Sequence, residues 1–230
     1  MTFFKRYIFL IFVVVAFTAT FSYAQSGDKG DYYFCNRKGT TLEYCRKYTD
    51  GRVKWVHKMR ILDVSAQGVI SYSSEFLNKR AKPKFGAPFQ MKARLRDGSV
   101  EIDVAKAMAS VISGVSGGVF EVSSSGDKTL LPSDLQVGDS LPNASCQVKM
   151  AGMTLKVQVD ERVVLKRETL ITEAGKFNCI VVQEHKIEKG MGRNRETTAL
   201  TWYAKGYGMI RHDTYKSGKL DTSEILVKIY

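Results

Sequence analysis

Hydrophobic side chains occupy every second position over long stretches of this sequence. The clearest stretch runs from Arg52 to Ile61 and alternates apolar with mostly charged residues. A two-residue period sends successive side chains to opposite faces of an extended chain, so this stretch predicts a half-buried β-strand. The segment Val69 to Leu77 follows a break at Gly68, and we expect the two strands to form a hairpin. The positions expected to face inward on the first strand are Val53, Trp55, His57, Met59 and Ile61.

Further alternating segments are joined by glycine turns. Phe89–Leu95 and Ser99–Ile102 flank an Asp-Gly turn, which predicts a second hairpin. Val163–Thr172 and Phe177–Ile187 flank a turn that contains glycine and predict another. The strand that starts at Phe177 is apolar on both faces, so we expect other parts of the protein to cover both of its sides.

The last strand of the chain carries a clean alternation as well. Ile225, Val227 and Ile229 share one face, whereas Glu224 and Lys228 share the other. Because apolar side chains are buried preferentially, we expect the isoleucine face to point into the protein and Glu224 to point into solvent.

One segment has a helical rather than an extended spacing, although a strand remains an alternative there. It carries an N-cap residue, four apolar residues at helical spacing and a terminal glycine: Asp103, Val104, Met108, Val111, Ile112 and Gly114. About a dozen short strands with at most one helix predict an all-β fold. We expect a single domain built as a rolled or half-barrel antiparallel sheet.

The N-terminus has the features of a secretory signal peptide. Lys5 and Arg6 precede an apolar run from Tyr7 to Phe21, and a small-x-small cleavage motif ends at Ala24. We therefore predict a signal peptide over residues 1–24, a flexible lead over residues 25–31 and the β-roll domain over residues 32–230. An uncleaved membrane anchor is the alternative, but the run is short for a span and no later segment could cross a bilayer.

Positive charge is the strongest compositional feature, with a formal net charge of +12. Export separates the protein from nucleic acid, so we expect anionic partners on the cell envelope, in the periplasm, at the outer membrane or outside the cell. The candidate anion-binding residues lie on the first strand (Arg52, Lys54, Lys58 and Arg60) and in a proline-bearing loop (Lys79, Arg80, Lys82 and Lys84). An ordinary solvated strand face and loop is the alternative.

The four cysteines are compatible with two disulfides in an oxidising compartment. We expect Cys35 to pair with Cys45 across a short loop and Cys146 to pair with Cys179. Buried free thiols are the alternative for the second pair. None of the four lies in a C-x-x-C motif, so no redox motif is indicated.

Sequence motifs give little support for catalysis or for a cofactor. Residues 114–118 match the G-x-S-x-G pattern around Ser116, and Asp160 and His185 follow in the order of a hydrolase triad. That chemistry needs a strand before the serine and a helix after it, and the predicted order is the reverse. The histidines are too dispersed to predict a metal site, and we expect no enzyme activity. Trp55, Trp202 and Tyr203 are candidate core or ligand-stacking aromatics.

Several segments taken in order resemble the TapB-like family of exported bacterial proteins, relatives of a domain of unknown function. The similar segments are Tyr32–Phe34, Lys38–Tyr44, Leu131–Pro142, Ile171–Cys179 and Trp202–Arg211. The last of these, with its Trp-Tyr-x-x-Gly-x-Gly pattern, is the most specific. Cys35 and Cys45 depart from the family pattern, which suggests a local staple in this chain.

The resemblance implies an exported β-roll of unassigned function, with no family catalytic residue to transfer. It also implies a shape akin to periplasmic lipoprotein carriers, whose curved sheets cradle acyl chains. We therefore expect a non-enzymatic cell-envelope protein that binds an apolar or amphipathic, lipid-like ligand in the curved sheet. A structural or adhesion module that contacts another exported protein or an anionic envelope surface is the alternative.

Overall fold

The computed structural model describes residues 32–230, so the predicted signal peptide and the flexible lead lie outside the described residues. Thirteen strands and one helix form within this range. They are β1 (Thr41–Tyr48), β2 (Val53–Val64), β3 (Val69–Leu77), β4 (Phe89–Arg96), β5 (Ser99–Asp103), α1 (Val104–Val115), β6 (Val122–Gly126), β7 (Lys128–Pro132), β8 (Ala144–Met150), β9 (Met153–Thr172), β10 (Gly175–Gly190), β11 (Arg193–Ala204), β12 (Gly208–Lys216) and β13 (Lys219–Ile229).

All thirteen strands belong to one antiparallel sheet, which confirms the predicted all-β roll. The order is β6-β8-β9-β10-β11-β12-β13-β1-β2-β3-β4-β5-β7. The edge strands β6 and β7 are consecutive in the chain and are separated only by Asp127, whose amide donates to the Ser145 carbonyl at 2.8 Å. The two edges therefore meet at one corner, and the sheet almost closes into a barrel.

Helix α1 packs against the strands on both sides of this corner. It begins as the sequence predicts, because the Asp103 carboxylate accepts a hydrogen bond from the Lys106 amide at 2.9 Å and so caps the first turn. Its buried face includes Met108, Val111 and Ile112, and Met108 Sδ lies 3.2 Å from Cys146 Sγ on β8. The helix thus joins the hydrophobic core where the sheet lacks a direct pairing.

The N-terminal segment Tyr32–Cys35 is part of this core. Phe34 and Cys35 are fully buried, and the Phe34 ring meets the Tyr72 ring of β3 edge to face at a centroid distance of 5.5 Å. At the start of the segment, the Tyr32 carbonyl accepts a hydrogen bond from the Gly206 amide in the β11–β12 turn. The concave side of the roll is therefore occupied by protein side chains.

Strand β10 has the two covered faces that its sequence predicts. The consecutive residues Cys179, Ile180, Val181 and Val182 are all buried. Its neighbour β9 is longer than the predicted strand Val163–Thr172, because it is one continuous strand of 20 residues that already begins at Met153. A bulge around Glu161, whose φ is +49°, lets β9 bend without ending.

Strand β13 has the opposite orientation from the one expected. Glu224 and Leu226 are fully buried, whereas Ile225, Val227 and Ile229 remain partly exposed. The cause lies on the neighbouring strand β1, where Arg46 is buried and pairs in register with Glu224. Thr222 and Leu226 are buried on the same face as Glu224, and Arg46 supplies the counter-charge that this orientation requires.

The buried pair is part of a row of side chains that crosses five strands. In register, Thr201 on β11 faces His212 on β12, His212 faces Glu224, Glu224 faces Arg46, and Arg46 faces Trp55 on β2. All five side chains are buried, and the Thr201 hydroxyl lies 2.8 Å from His212 Nδ1. This part of the barrel interior is polar.

Arg46 and Glu224 are fully hydrogen-bonded to their surroundings. Arg46 donates to Glu224 Oε2 at 3.1 Å and to the hydroxyls of Thr214 at 2.8 Å and Thr222 at 2.6 Å. The Trp55 indole N–H donates to Glu224 Oε1 at 3.3 Å. Burial raises the pKa of Glu224, and the Arg46 charge opposes that rise. The arginine therefore favours the ionised form of the carboxylate, against the effect of burial.

Replacing Arg46 with Met should leave Glu224 buried without its counter-charge. Removing one partner of a buried ion pair lowers the free energy of unfolding by about 3–5 kcal/mol. The double variant Arg46→Met/Glu224→Leu should recover most of that loss, because both charges are then absent. Urea denaturation followed by tryptophan fluorescence measures the three free energies, and additive losses in the double variant would contradict this account.

His57 makes the stability depend on pH. Its ring stacks on Phe76 at a centroid distance of 4.4 Å, and burial lowers its pKa from 6.5 to about 3. In the unfolded chain His57 takes up a proton below about pH 6.5, whereas in the folded protein it stays neutral. The stabilisation that depends on neutral His57 is therefore complete above pH 6.5. As pH falls from 6.5 toward 3, the free energy of unfolding decreases by about 1.4 kcal/mol per pH unit.

The variant His57→Phe should lose this component of the pH dependence, and urea denaturation between pH 5 and 6.5 measures it. Met59→Leu, at the next inward position of β2, is the control and should lower stability by a similar amount at each pH. Parallel curves for the wild type and His57→Phe would show that His57 does not carry the effect.

Candidate functional site

Two of the four strand cations predicted to bind anions are paired with acidic residues. Lys58 Nζ lies 3.2 Å from Glu43, and Arg52 Nε lies 2.6 Å from Asp50. Arg60 is exposed on the same outer face as Lys58. The predicted orientation of these three side chains agrees with the structure, and their net positive charge is smaller than the sequence suggests.

Lys54 does not belong to this outer row. Arg46 pairs with Trp55 and Lys47 pairs with Val53, so Lys54 is the extra residue of a β-bulge. Its ammonium lies 4.8 Å from the centroid of the Tyr48 ring and 5.1 Å from that of Trp55. Burial, followed by the charge of Arg46, lowers the pKa of Lys54 to about 7. Lys54 is therefore an extension of the buried polar row.

The basic loop between β3 and β4 lies near this end of β2. Leu77 forms a bridge with Pro83, and Lys84 Nζ lies 5.5 Å from the centroid of the Trp55 ring. The three remaining loop cations are exposed: Lys79, Arg80 and Lys82. The structure thus groups the loop cations with Arg52 and separates them from Lys58 and Arg60, which lie farther along β2.

A cleft of about 650 Å³ lies beside the β9–β10 hairpin and the β11–β12 turn. We call it the Tyr207 cleft. Its lining residues are Tyr33, Arg167, Glu168, Thr169, Lys176, Phe177, Asn178, Cys179, Ile180, Ala204, Lys205 and Tyr207. The volume is within the range of about 300–1,000 Å³ that small-molecule sites occupy.

Aromatic rings form the apolar walls of the Tyr207 cleft. The Phe177 and Tyr207 rings meet edge to face at 5.1 Å, and the Arg37 guanidinium lies 4.8 Å from the centroid of the Tyr207 ring. Tyr33 comes from the N-terminal segment, and burial raises the pKa of its hydroxyl. The hydrogen bond between Gly206 and Tyr32 fixes this segment beside the turn.

Four charged side chains also line the cleft, and three of the four are cations. Arg167 donates to the Leu135 carbonyl at 2.7 Å, which fixes its position, while Lys176 and Lys205 are exposed. Glu168 is the one acid of the lining and accepts from Lys166 at 2.5 Å and from the Trp202 indole N–H. The hydrogen bond from Lys166, then that from Trp202, lowers the pKa of Glu168.

The three candidate aromatics are core residues in the structure. Trp55 is fully buried, and Tyr203 and Trp202 are nearly so. The Trp202 indole N–H donates to Glu168, which lines the Tyr207 cleft. The Arg211 guanidinium lies 4.9 Å from the centroid of the Trp202 ring. The sequence did not reveal the rings that do line the cleft, because Phe177 and Tyr207 reach it from separate turns.

The cysteines are free thiols in this structure, contrary to the predicted pairing. Cys146 is opposite Val157 on β9, whereas Cys179 is opposite Glu168 on the same strand. These two partners are eleven residues apart on β9, which is roughly 35 Å along an extended strand of about 3.3 Å per residue, so even a bent β9 keeps the two cysteines beyond the reach of a disulfide.

The other predicted pair is separated by the sheet itself. Cys35 is fully buried and lies near Tyr44, on the inner side of β1. Cys45 follows Tyr44 in the strand, so its side chain points to the opposite face and is partly exposed. Adjacent strand positions thus place the two thiols on different faces of the sheet.

The hypothetical triad does not assemble. Ser116 is the C-cap of α1, and its hydroxyl donates to the Ser113 carbonyl at 2.9 Å. The helix precedes the serine, as the sequence predicts, so the strained strand-to-helix turn of a nucleophile elbow is not formed. His185 does contact Asp160, with Nδ1 2.8 Å from Oδ1, on the outer face of the sheet.

Among residues 32–230, no helix has the length and hydropathy needed to span a membrane.

Comparison with known proteins supports the fold and a broad family. A family model described as DUF3108-like matches residues 37–226. A candidate exported protein with a YmcC-like fold from Bacteroides fragilis superposes with a TM-score of 0.69 at 20% identity, covering 86% of this chain and 98% of that one. A candidate lipoprotein from Parabacteroides distasonis superposes with a TM-score of 0.68 at 16% identity, with the same two coverages. Among curated proteins, no sequence matches this chain.

Thiol reactivity tests the position of the cysteines. Burial raises the pKa of Cys146 and of Cys179 to about 12, and Cys35 is fully buried, so these three thiols should react slowly in the folded protein. Ellman's reagent should modify Cys45 first and all four thiols after unfolding in urea. The variant Cys45→Ser should lose the early phase, and fewer than four thiols in urea without reductant would reveal a disulfide.

Proposed function

This chain belongs to the DUF3108-like family, and from that premise we propose that it is an exported, non-enzymatic cell-envelope protein. In our proposal it binds an amphipathic ligand with an anionic head group in the Tyr207 cleft. The mixed lining of that cleft, with aromatic walls and an excess of cations, is the observation on which the proposal depends.

Export is supported by the N-terminal sequence and by the relatives. Lys5 and Arg6, the apolar run and the cleavage motif at Ala24 have the order of a secretory signal. Two of the matching structures are described as a candidate exported protein and a candidate lipoprotein. We assign the protein to the periplasm or to the outer membrane surface, and we keep the resemblance to TapB-like proteins as part of this proposal.

The cleft, rather than the hollow of the roll, is the better ligand site. Phe34 and Cys35 fill the concave side together with the inward face of β3, and the polar row occupies the other part of the interior. A lipid chain placed there would have to displace close-packed side chains or the Arg46–Glu224 pair, which is costly. The Tyr207 cleft needs no such displacement.

The charges of the cleft favour an anionic head group. Arg167, Lys176 and Lys205 outnumber the single acid Glu168 in the lining, and Glu168 is itself paired with Lys166, which lies outside the lining. The apolar part of a ligand would contact Phe177 and Tyr207, whose rings offer apolar surface at the same opening. A carboxylate or phosphate attached to an acyl or aromatic group combines both features.

A second function is favoured by the exposed basic loop. Lys79, Arg80 and Lys82 extend into solvent at the same end of the barrel as Arg52. This cationic surface would suit an anionic envelope component, such as a phosphate-rich polysaccharide or lipid surface, without any cleft. Edge pairing with another exported protein has less support, because the edge strands β6 and β7 have only five residues each.

A charge-reversal pair in the cleft distinguishes the two functions. In Lys176→Glu/Lys205→Glu, affinity for a dansylated fatty acid should fall about tenfold, since exposed charge pairs contribute roughly 0.2–1 kcal/mol each and reversal adds repulsion. Fluorescence titration measures the affinity, which should also weaken as salt is added.

The matched control reverses Lys79 and Lys82 in the basic loop. This variant should keep the affinity for the fatty acid within about twofold, while sedimentation with vesicles of anionic phospholipid reports on the second function. Equal fatty-acid affinities for the wild type and the cleft variant would exclude the cleft as the site. Loss of vesicle binding in the loop variant alone would support the basic surface instead.

A further inference from the structure

His185 lies on the outer face of β10 between two carboxylates. Its Nδ1 is 2.8 Å from Asp160 Oδ1 on β9, and its Nε2 is 2.9 Å from Glu196 Oε1 on β11. His185 and Asp160 are register partners, and each side chain is 20% exposed. The imidazole is therefore fixed on both sides yet accessible to small solutes.

A third ligand comes from the bulge in β9. Glu161 adopts a left-handed backbone conformation, and the register with β10 shifts between Gln183 and His185. Adjacent residues of a regular strand point to opposite faces, but this bulge brings both acids to His185. One donor atom each from Asp160, Glu161 and His185 lies within 4.8 Å of the other two.

We propose that Asp160, Glu161 and His185 form a binding site for a divalent transition-metal ion of the Zn²⁺ type. One imidazole nitrogen and two carboxylate oxygens are a ligand set that suits such ions, with water completing the coordination. The site is distinct from the Tyr207 cleft, so it does not depend on the proposed ligand-binding function.

The surrounding hydrogen bonds match those around known metal ligands. A ligating histidine usually binds a carboxylate through its other ring nitrogen, and Glu196 supplies that carboxylate here. Ligating carboxylates are usually hydrogen-bonded in turn, and the Gln158 amide donates to Asp160 Oδ2 at 2.9 Å. These two contacts orient the imidazole and the carboxylate so that Nδ1 and Oδ1 face each other.

The distances require only a small adjustment. Metal bonds of about 2.0–2.1 Å in tetrahedral geometry place neighbouring ligand atoms ~3.3 Å apart. His185 Nδ1 and Asp160 Oδ1 would separate by about half an ångström from their present 2.8 Å as a metal replaces the shared proton. Glu161 is exposed, so its carboxylate can move without disturbing the core.

The site also has access to solvent. Gln158 lines a second cleft, of about 360 Å³, whose other lining residues include Ile187 and Lys156. Gln158 contacts Asp160, but the ligands themselves do not line this cleft, and their access to solvent is direct: Glu161 is exposed, and the side chains of Asp160 and His185 are each 20% exposed. Water or a small anion can therefore reach the coordination positions that the protein leaves open.

The other explanation for these contacts is an ion triad of Asp160, His185 and Glu196 without a metal. The triad needs neither Glu161 nor the bulge, whereas the metal site uses both. The variant Glu161→Gln therefore separates the two explanations, because it removes a metal ligand and leaves the hydrogen bonds of His185 intact.

The test uses the protein purified without an affinity tag and dialysed against EDTA. Isothermal titration with ZnCl₂ should show one ion per chain, and Co²⁺ should give a visible spectrum typical of nitrogen and oxygen ligands. His185→Gln and Glu161→Gln should each lower Zn²⁺ affinity at least tenfold. Glu196→Gln should lower it about tenfold, as loss of an orienting partner does.

Two controls keep the result specific. Asp63→Asn removes an exposed carboxylate that is paired with Lys38 on another part of the sheet, and it should not change the affinity. Cys45→Ser removes the one partly exposed thiol and should not change it either. Circular dichroism checks the fold of each variant, and Glu161→Gln decides the question if His185→Gln fails to fold. Absence of Zn²⁺ binding, or wild-type affinity in Glu161→Gln, would overturn the proposal.

Discussion

The ion pair of Arg46 with Glu224 is the interaction on which this architecture depends. It joins β1 to β13, the first and the last strands of the described chain, and it lies inside the barrel where an unpaired charge would be very costly. Thr214, Thr222 and Trp55 complete its hydrogen bonds from three strands. The pair therefore specifies which strands are neighbours and in which register, beyond what apolar burial alone requires.

Much of the fold could be predicted from local pattern. The β2–β3 and β4–β5 hairpins, the helix capped by Asp103 and the doubly covered β10 follow from periodicity and turn chemistry, which act over a few residues. The orientation of β13 could not, because alternation identifies two faces but does not say which is inside. Arg46 shares a face with Leu42 and Tyr44, and that was the one available signal for a buried cation.

The candidate sites depend on contacts between distant segments, and the sequence predicted them poorly. The Tyr207 cleft combines Tyr33, Phe177 and Tyr207, which are brought together only by the strand order. The expected pairing of Cys146 with Cys179 is not formed for the same reason, since spacing along the chain does not reveal that the two residues lie beside opposite halves of β9. Likewise, Asp160 and Glu161 share one side of β9 only because of a bulge that no simple periodicity predicts.

The position of β1 in the middle of the sheet has a consequence for how the chain folds. Leu42 pairs with Ile229, so nearly the full length of the domain separates these partners. Loop-closure entropy makes such non-local pairing slow, and the hairpins on either side can form first as independent units. We therefore expect the pairing of β1 with the C-terminal strand to form after these hairpins and to join the two halves of the sheet.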